Sequence, residues 1–123
     1  DLDHFKSVND AHGHAIGDEV LRALSRHAHT MIRRTDVLAR WGGEEFVLLL
    51  PNTPIAMAAN SLERLREHFH AHPLVVHGLD LPVSFSAGLT EHLRGETVAQ
   101  TLERADKLCY QAKTLGRNRV ERG

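Results

Sequence analysis

The stretch Arg40–Leu50, Arg-Trp-Gly-Gly-Glu-Glu-Phe-Val-Leu-Leu-Leu, constrains the fold of this chain more than any other. Gly42-Gly43 separates an extended-looking run, Thr35–Trp41, from a strongly apolar one, Phe46–Leu50. A Gly-Gly pair between strand-like runs predicts a two-residue hairpin, because both central residues of a type I′ turn need φ > 0. Glu44 and Glu45 follow at once, and strand alternation sends adjacent side chains to opposite faces. One carboxylate can then face a ligand and the other a different partner.

The segments around the hairpin set the layers. Asp1-Leu2-Asp3-His4-Phe5-Lys6 reads as the exit of a strand whose body lies upstream. Phe5–Ala11 predicts a short helical turn ending near Gly13. Gly17 precedes Asp18, a candidate N-cap, and Val20, Leu21, Leu24, Ala28, Met31 and Ile32 then follow at helical spacing to about Arg33. After the hairpin, Thr53 as cap and Pro54 as first residue predict a helix through His72, with Ile55, Ala58, Leu62, Leu65 and Phe69 on one stripe. Val75–His77 and Leu81–Leu89, around a turn at Gly78, read as two strands. Thr97 leads into a third long helix ended by Gly116, and Arg119–Glu121 reads as a last strand. The predicted order is α-β-β-α-β-β-α-β, an α/β or α+β layered domain.

Composition narrows the function classes. At 123 residues the chain suits one domain with a buried core. A formal net charge of -1 supplies no basic field for nucleic acid. Cys109 is the only cysteine, which excludes an internal disulfide. The apolar run Phe46–Leu50 is far too short to span a bilayer.

Several constellations carry chemistry. Asp1, Asp3, Glu44 and Glu45 offer hard oxygen ligands from a strand exit and a neighbouring hairpin, a set that suits magnesium held jointly with substrate phosphates. An acidic surface hairpin is the alternative. Backbone amides at Phe5 and Lys6, with the Lys6 ammonium, suit an anion at a helix start. Lys113 and Arg117 flank the end of the last helix, either as phosphate ligands or as complements to its dipole. Asn9 and Asp18 combine an amide with a carboxylate, the chemistry that reads a guanine edge, unless Asp18 only caps its helix. Arg33 and Asp36 form either a clamp for a phosphate and a base or a solvated pair. His68, His70, His72 and His77 resemble a metal cluster, but no acidic or cysteine partner lies nearby in sequence to complete a zinc site.

Taken together these segments resemble the GGDEF family of diguanylate cyclases, in its GGEEF form. The match is collinear over essentially the whole chain: DLDHFKSVND, GHAIGDEVL, RRTD, RWGGEEF, VSFSAG, ERADKLCYQAK and GRNRV. The resemblance implies one GGDEF domain over residues 1–123, with an antiparallel-rich central sheet flanked by helices, a palm or nucleotidyl-cyclase-like fold. It also implies condensation of two GTP molecules into cyclic di-GMP with release of two pyrophosphates. Asp1, the Leu2 carbonyl and Glu44 would hold Mg2+ or Mn2+, with Glu45 as a further ligand; Asp1, Glu44 and Glu45 form the catalytic set. Asn9 and Asp18 would read guanine, and Phe5, Lys6, Lys113 and Arg117 would hold the triphosphate. Arg33 and Asp36 would form a product-inhibition site of RxxD type, joined by Arg64.

The same resemblance implies a homodimer with facing GGEEF sites, an upstream sensory or regulatory domain, and a cytoplasmic setting, with the parent protein free or anchored in the inner membrane. The family pattern begins earlier, with a helix, a DxLTxLxNR-like motif and the strand that ends in the metal aspartate. The chain is therefore expected to be N-terminally truncated, lacking most of that first strand. The rival readings are a GTP or cyclic di-GMP binding module without turnover, and a scaffold without ligand.

Overall fold

Four apolar stripes at helical spacing and six short extended runs account for most of the chain. The computed structural model describes residues 1–123 as α1 (Phe5–His12), α2 (His14–Met31), β1 (Val37–Gly42), β2 (Glu45–Leu49), α3 (Ile55–Ala71), β3 (Leu74–Val76), β4 (Leu79–Leu81), β5 (Ser86–Leu89), α4 (Val98–Thr114) and β6 (Arg119–Arg122). No helix is long and apolar enough to cross a membrane.

The strands stand in three pairs: β1–β2 and β3–β4 antiparallel, β5–β6 parallel. Residues 1–3 join the first pair to the third. Leu2 N–H donates to the Glu44 carbonyl (3.2 Å), while Asp3 N–H donates to Ser84 O (2.9 Å) and Ser86 N–H to Asp1 O (3.0 Å). Beyond those residues the facing edges of β2 and β5 have no strand partner. Between them lies a trough of about 1040 Å³, lined by Leu24, Phe46, Leu48, Leu65, Phe85 and Leu89 among others. Unpaired ladder edges therefore stand beside an apolar floor.

The core forms the floor of this trough and extends beneath α1 and α2. Phe5, Val20, Leu24, Ala28, Leu65, Phe69, Leu74, Val76, Leu81 and Phe85 are buried in one cluster with Leu2. The Phe69 and Phe85 rings meet edge to face with centroids 6.5 Å apart. Leu2 and Phe85 are also the two residues of the isolated bridge, so the core and the join between strand pairs share atoms.

Three boundaries differ from the sequence expectation, each for a physical reason. The glutamate hairpin turns at Gly43-Glu44 and not at Gly42-Gly43. The register shifts by one residue between Arg40 and Gly42, and only Gly43 has positive φ. Trp41 is the extra residue of that bulge, and Arg40 Nε holds the turn by donating to Gly43 O (2.7 Å). The turn with both central residues at positive φ is His77-Gly78, between β3 and β4. The expected strand Leu81–Leu89 is divided: Pro82 carries no N–H for a ladder, β4 stops at Leu81 and β5 begins at Ser86. Thr53 does not cap α3, because its hydroxyl lies against Pro51 O and Arg33; Pro54 stands at the N-cap position and Ile55 N–H donates to Glu91 Oε1 (3.1 Å).

Helix α4 begins with a capping box between Thr97 and Gln100. The loop before it is pinned by Glu96, which accepts from Arg104 Nε (2.9 Å), Leu93 N–H (2.9 Å) and Thr101 Oγ1 (2.8 Å). Arg104 beside it holds the Glu96 carboxyl at about 2, below its ordinary 4.5. A depressed folded-state value gives stability that is complete above the unfolded value and is lost as pH falls through the folded one. Thermal unfolding is therefore expected to shift to lower temperature between pH 4.5 and about 2, and Arg104→Gln to flatten that acid limb. An unchanged limb in the variant would count against the clasp.

Candidate functional site

The site is built where residues 1–3, the glutamate turn, the start of α1 and the end of α4 meet. The backbone of residues 1–3 is fixed on both sides, by Glu44 O on the hairpin and by Ser84 and Ser86 on the other flank. The Asp1 side chain is only 9% exposed and its carboxylate is paired with Lys113 Nζ.

Lys113 reaches Asp1 because α4 ends in a Schellman motif. Arg117 N–H donates to Ala112 O (3.0 Å) and Gly116 N–H to Lys113 O (3.3 Å). The motif turns the chain back, leaves Arg117 exposed with φ +64°, and delivers Asn118 N–H to Asp3 Oδ2 (3.0 Å). Asp3 also accepts from Ser84 Oγ (2.7 Å) and from the fully buried Ser86 Oγ (2.6 Å). Of the four carboxylates singled out in the sequence, Asp3 is therefore a structural tie, its oxygens occupied by three donors.

Glu44 lies half-buried in the turn, its own carbonyl accepting from Leu2 N–H, and Glu45 is the exposed first residue of β2. Glu45 lines the trough together with Asp1 and Leu2. As the chain stands, no three histidine, cysteine or acidic side chains are gathered to hold a metal ion. The donor types fit a hard cation, since Asp1, the Leu2 carbonyl, Glu44 and Glu45 are all oxygen donors. Lys113 engages only Oδ2 of the Asp1 carboxylate. Of the four histidines singled out, only two meet: His68 stacks on His72 with centroids 4.7 Å apart, with His27 at 6.1 Å from His68, while His70 lies against Asn118 Nδ2 and His77 in the β3–β4 turn. His68 is held below its ordinary pKa by burial first and by its two neighbours second.

Helix α1 follows residues 1–3 directly. The amides of Phe5 and Lys6 find no acceptor within the chain, as the first turn of a helix without a side-chain cap leaves them. Lys6 Nζ makes only a solvent-exposed pair with Asp10 (3.6 Å). At the other end of α1, the Asn9 side chain lies against Gly17, the residue before Asp18 in α2. Helix α2 starts at His14, so Asp18 lies inside it and caps nothing. That is a correction: Gly13, with φ +88°, breaks the helix, and Gly17 does not. Asp18 is exposed, and Asn9 Oδ1 is buried with no hydrogen-bond partner.

A second group forms between α2 and α3. The Arg33 guanidinium donates to Asp36 Oδ1 (2.9 Å), Pro51 O (3.0 Å) and Thr53 Oγ1 (2.5 Å), and the Arg33 amide donates to Asp36 Oδ2 (2.7 Å). These bonds hold the Asp36 carboxyl below its usual range. Arg33, Asp36 and Arg64 line one small cavity of about 130 Å³. Sequence reasoning missed Pro51 and Thr53 here, and Ser84, Ser86 and Asn118 around Asp3.

Comparison with known proteins places this geometry. Residues 1–119 match the family described as "Diguanylate cyclase, GGDEF domain". Diguanylate cyclase DgcP of Pseudomonas aeruginosa is 43% identical over 121 residues, covering 98% of this chain and 18% of DgcP. The structure of diguanylate cyclase SiaD from Pseudomonas aeruginosa, in complex with its activator SiaC, superposes with a TM-score of 0.94 at 43% identity, over 100% of this chain and 47% of that one. The coiled coil and GGDEF domain of DgcB from Caulobacter crescentus, in complex with c-di-GMP, gives a TM-score of 0.92 at 32% identity, over 100% and 66%. The chain thus spans less than two thirds of the length of the relatives it was first matched to, 18% in the case of DgcP. It belongs to the diguanylate cyclase GGDEF-domain family.

Proposed function

We propose that this domain, within its parent protein, condenses two GTP molecules into cyclic di-GMP and two pyrophosphates. The observation that carries the reading is the clamp on residues 1–3: Glu44 O on Leu2 N–H, with Lys113 on the Asp1 carboxylate. It brings candidate metal ligands and a candidate phosphate ligand from three distant segments to one point. Asp1, the Leu2 carbonyl, Glu44 and Glu45 would hold Mg2+ or Mn2+. When bound, the ion supplies Lewis acidity that makes a ribose 3′-hydroxyl a better nucleophile and offsets charge on the α-phosphate.

The chain's own residues do the rest. The Phe5 and Lys6 amides and the Lys6, Lys113 and Arg117 cations bind the triphosphate and offset the charge of the leaving pyrophosphate. Asn9 and Asp18 orient the base, fixing the ribose for in-line attack. Because each domain holds one GTP, two domains must face each other through their GGEEF turns, and a monomer binds nucleotide without making product. Dimerisation, driven by an upstream regulatory domain on the cytoplasmic side, is then the point of control. Incubating the full-length parent with GTP and magnesium tests the reading; cyclic di-GMP is the expected product.

Arg33, Asp36 and Arg64 serve product inhibition. Arg33 is already ordered by three acceptors before any ligand arrives, so little side-chain entropy remains to be lost on binding. Arg33→Ala is expected to raise the cyclic di-GMP concentration giving half-inhibition by about tenfold or more, the scale of a lost charge-assisted hydrogen bond. An unchanged inhibition curve would remove the assignment. The same preordered group favours a second reading, a cyclic di-GMP sensor without turnover, because its geometry does not depend on Asp1. A parent that binds cyclic di-GMP and converts no GTP would establish that reading.

A further inference from the structure

We propose that Gly17 is a positioning residue for base recognition: its missing side chain is the clearance that seats the Asn9 amide. The proposal rests on the reading of Asn9 and Asp18 as guanine ligands and deepens it. Gly17 is the fourth residue of α2 and does not have a left-handed φ, so the backbone gives no reason for glycine there. Glycine is a poorer helix former than every residue except proline. Space supplies the reason. A Cβ on Gly17 would stand 1.8 Å from Asn9 Oδ1, 3.0 Å from Asn9 Cγ and 3.1 Å from Phe5 Cζ.

The two backbones cannot part to make room. Gly13 N–H donates to Asn9 O (2.8 Å), and Gly17 N–H donates to Gly13 O (3.1 Å), so the end of α1 and the start of α2 are bonded through one glycine. Phe5, on the same face of α1, is buried in the core. The Asn9 side chain is the part that must yield. It is also the part in tension with its surroundings, because Asn9 Oδ1 is a buried side-chain oxygen without a hydrogen-bond partner. A weak helix former and an unpaired buried oxygen meet at one contact, where the Asn9 oxygen is the nearer neighbour and Phe5 the farther. Both are accounted for when the contact turns Asn9 Oδ1 inward against Gly17 and leaves the Nδ2 donor to meet an acceptor on the purine edge, the exposed Asp18 carboxylate accepting from the ring N–H and exocyclic amine.

The test measures binding of 3′-deoxy-GTP and 3′-deoxy-ATP, which cannot be condensed, to the full-length parent. Gly17→Ala is expected to weaken 3′-deoxy-GTP binding about tenfold, the scale of one displaced hydrogen-bonding group, and to reduce the preference over 3′-deoxy-ATP by a similar factor. In turnover, KM for GTP rises while kcat stays within about twofold. Asn9→Ala alone produces a similar loss, and adding Gly17→Ala to it produces no further loss. Wild-type affinity and base preference in Gly17→Ala, with Asn9→Ala weakened, overturn the proposal alone. Losses that simply add in the double variant, or a double variant that does not fold, also overturn it. Unchanged binding in Asn9→Ala overturns the guanine reading and the proposal together.

Discussion

Replacing Asp3 with alanine is expected to destabilise the domain by about 3 kcal/mol or more, a large part of the roughly 5–15 kcal/mol that holds a domain of this size. The carboxylate accepts from Ser84 Oγ (2.7 Å), Ser86 Oγ (2.6 Å) and Asn118 N–H (3.0 Å). Its loss leaves the Ser86 hydroxyl, on a fully buried residue, without an acceptor. It also releases Asn118, held at φ +45°, and with it the return from α4 to β6. Asp3→Asn keeps one acceptor oxygen and should lose about half as much. Urea denaturation followed by circular dichroism measures both. A midpoint for Asp3→Ala equal to that of the wild type would show that the three bonds contribute nothing net.

The second large effect is on chemistry. Glu44→Gln is expected to lower cyclic di-GMP synthesis by the parent at least a hundredfold, about 3 kcal/mol or more of transition-state stabilisation, while GTP binding falls far less. Glutamine preserves the size of the side chain and removes the charge a hard cation requires. The turn is held by Arg40 Nε on Gly43 O and by Leu2 N–H on Glu44 O, both independent of the Glu44 carboxylate, so the fold should survive. Glu45→Gln should cost less, because the proposal makes Glu44 a metal ligand with Asp1 and Glu45 only a further one. Equal activity in wild type and Glu44→Gln would remove Glu44 from the site.

What the sequence made legible was local. The three long helices follow from apolar spacing, and the stops at Gly13 and Gly116 follow from glycine. The turn beside Glu44 was misplaced by one residue because a bulge at Trp41 is a property of the pairing, and no composition signal reports it. Asp18 read as a cap because Gly17 looked like a break. Only the contact with Asn9 shows that this glycine is kept for space. Asp3 looked like a metal ligand because its partners lie 81 to 115 residues away, beyond any periodicity. The grouping of Asp1, Leu2, Glu44 and Lys113 was legible only through the order of the motifs, since no local pattern links a strand exit to a helix end.

The most direct measurement is the product formed by the full-length parent incubated with GTP and magnesium, resolved by chromatography and compared with Glu44→Gln. The account predicts cyclic di-GMP with two pyrophosphates per product from the parent, and almost none from the variant, with GTP still bound by both. A parent that binds GTP as tightly as its Glu44→Gln variant and makes no cyclic di-GMP would contradict it.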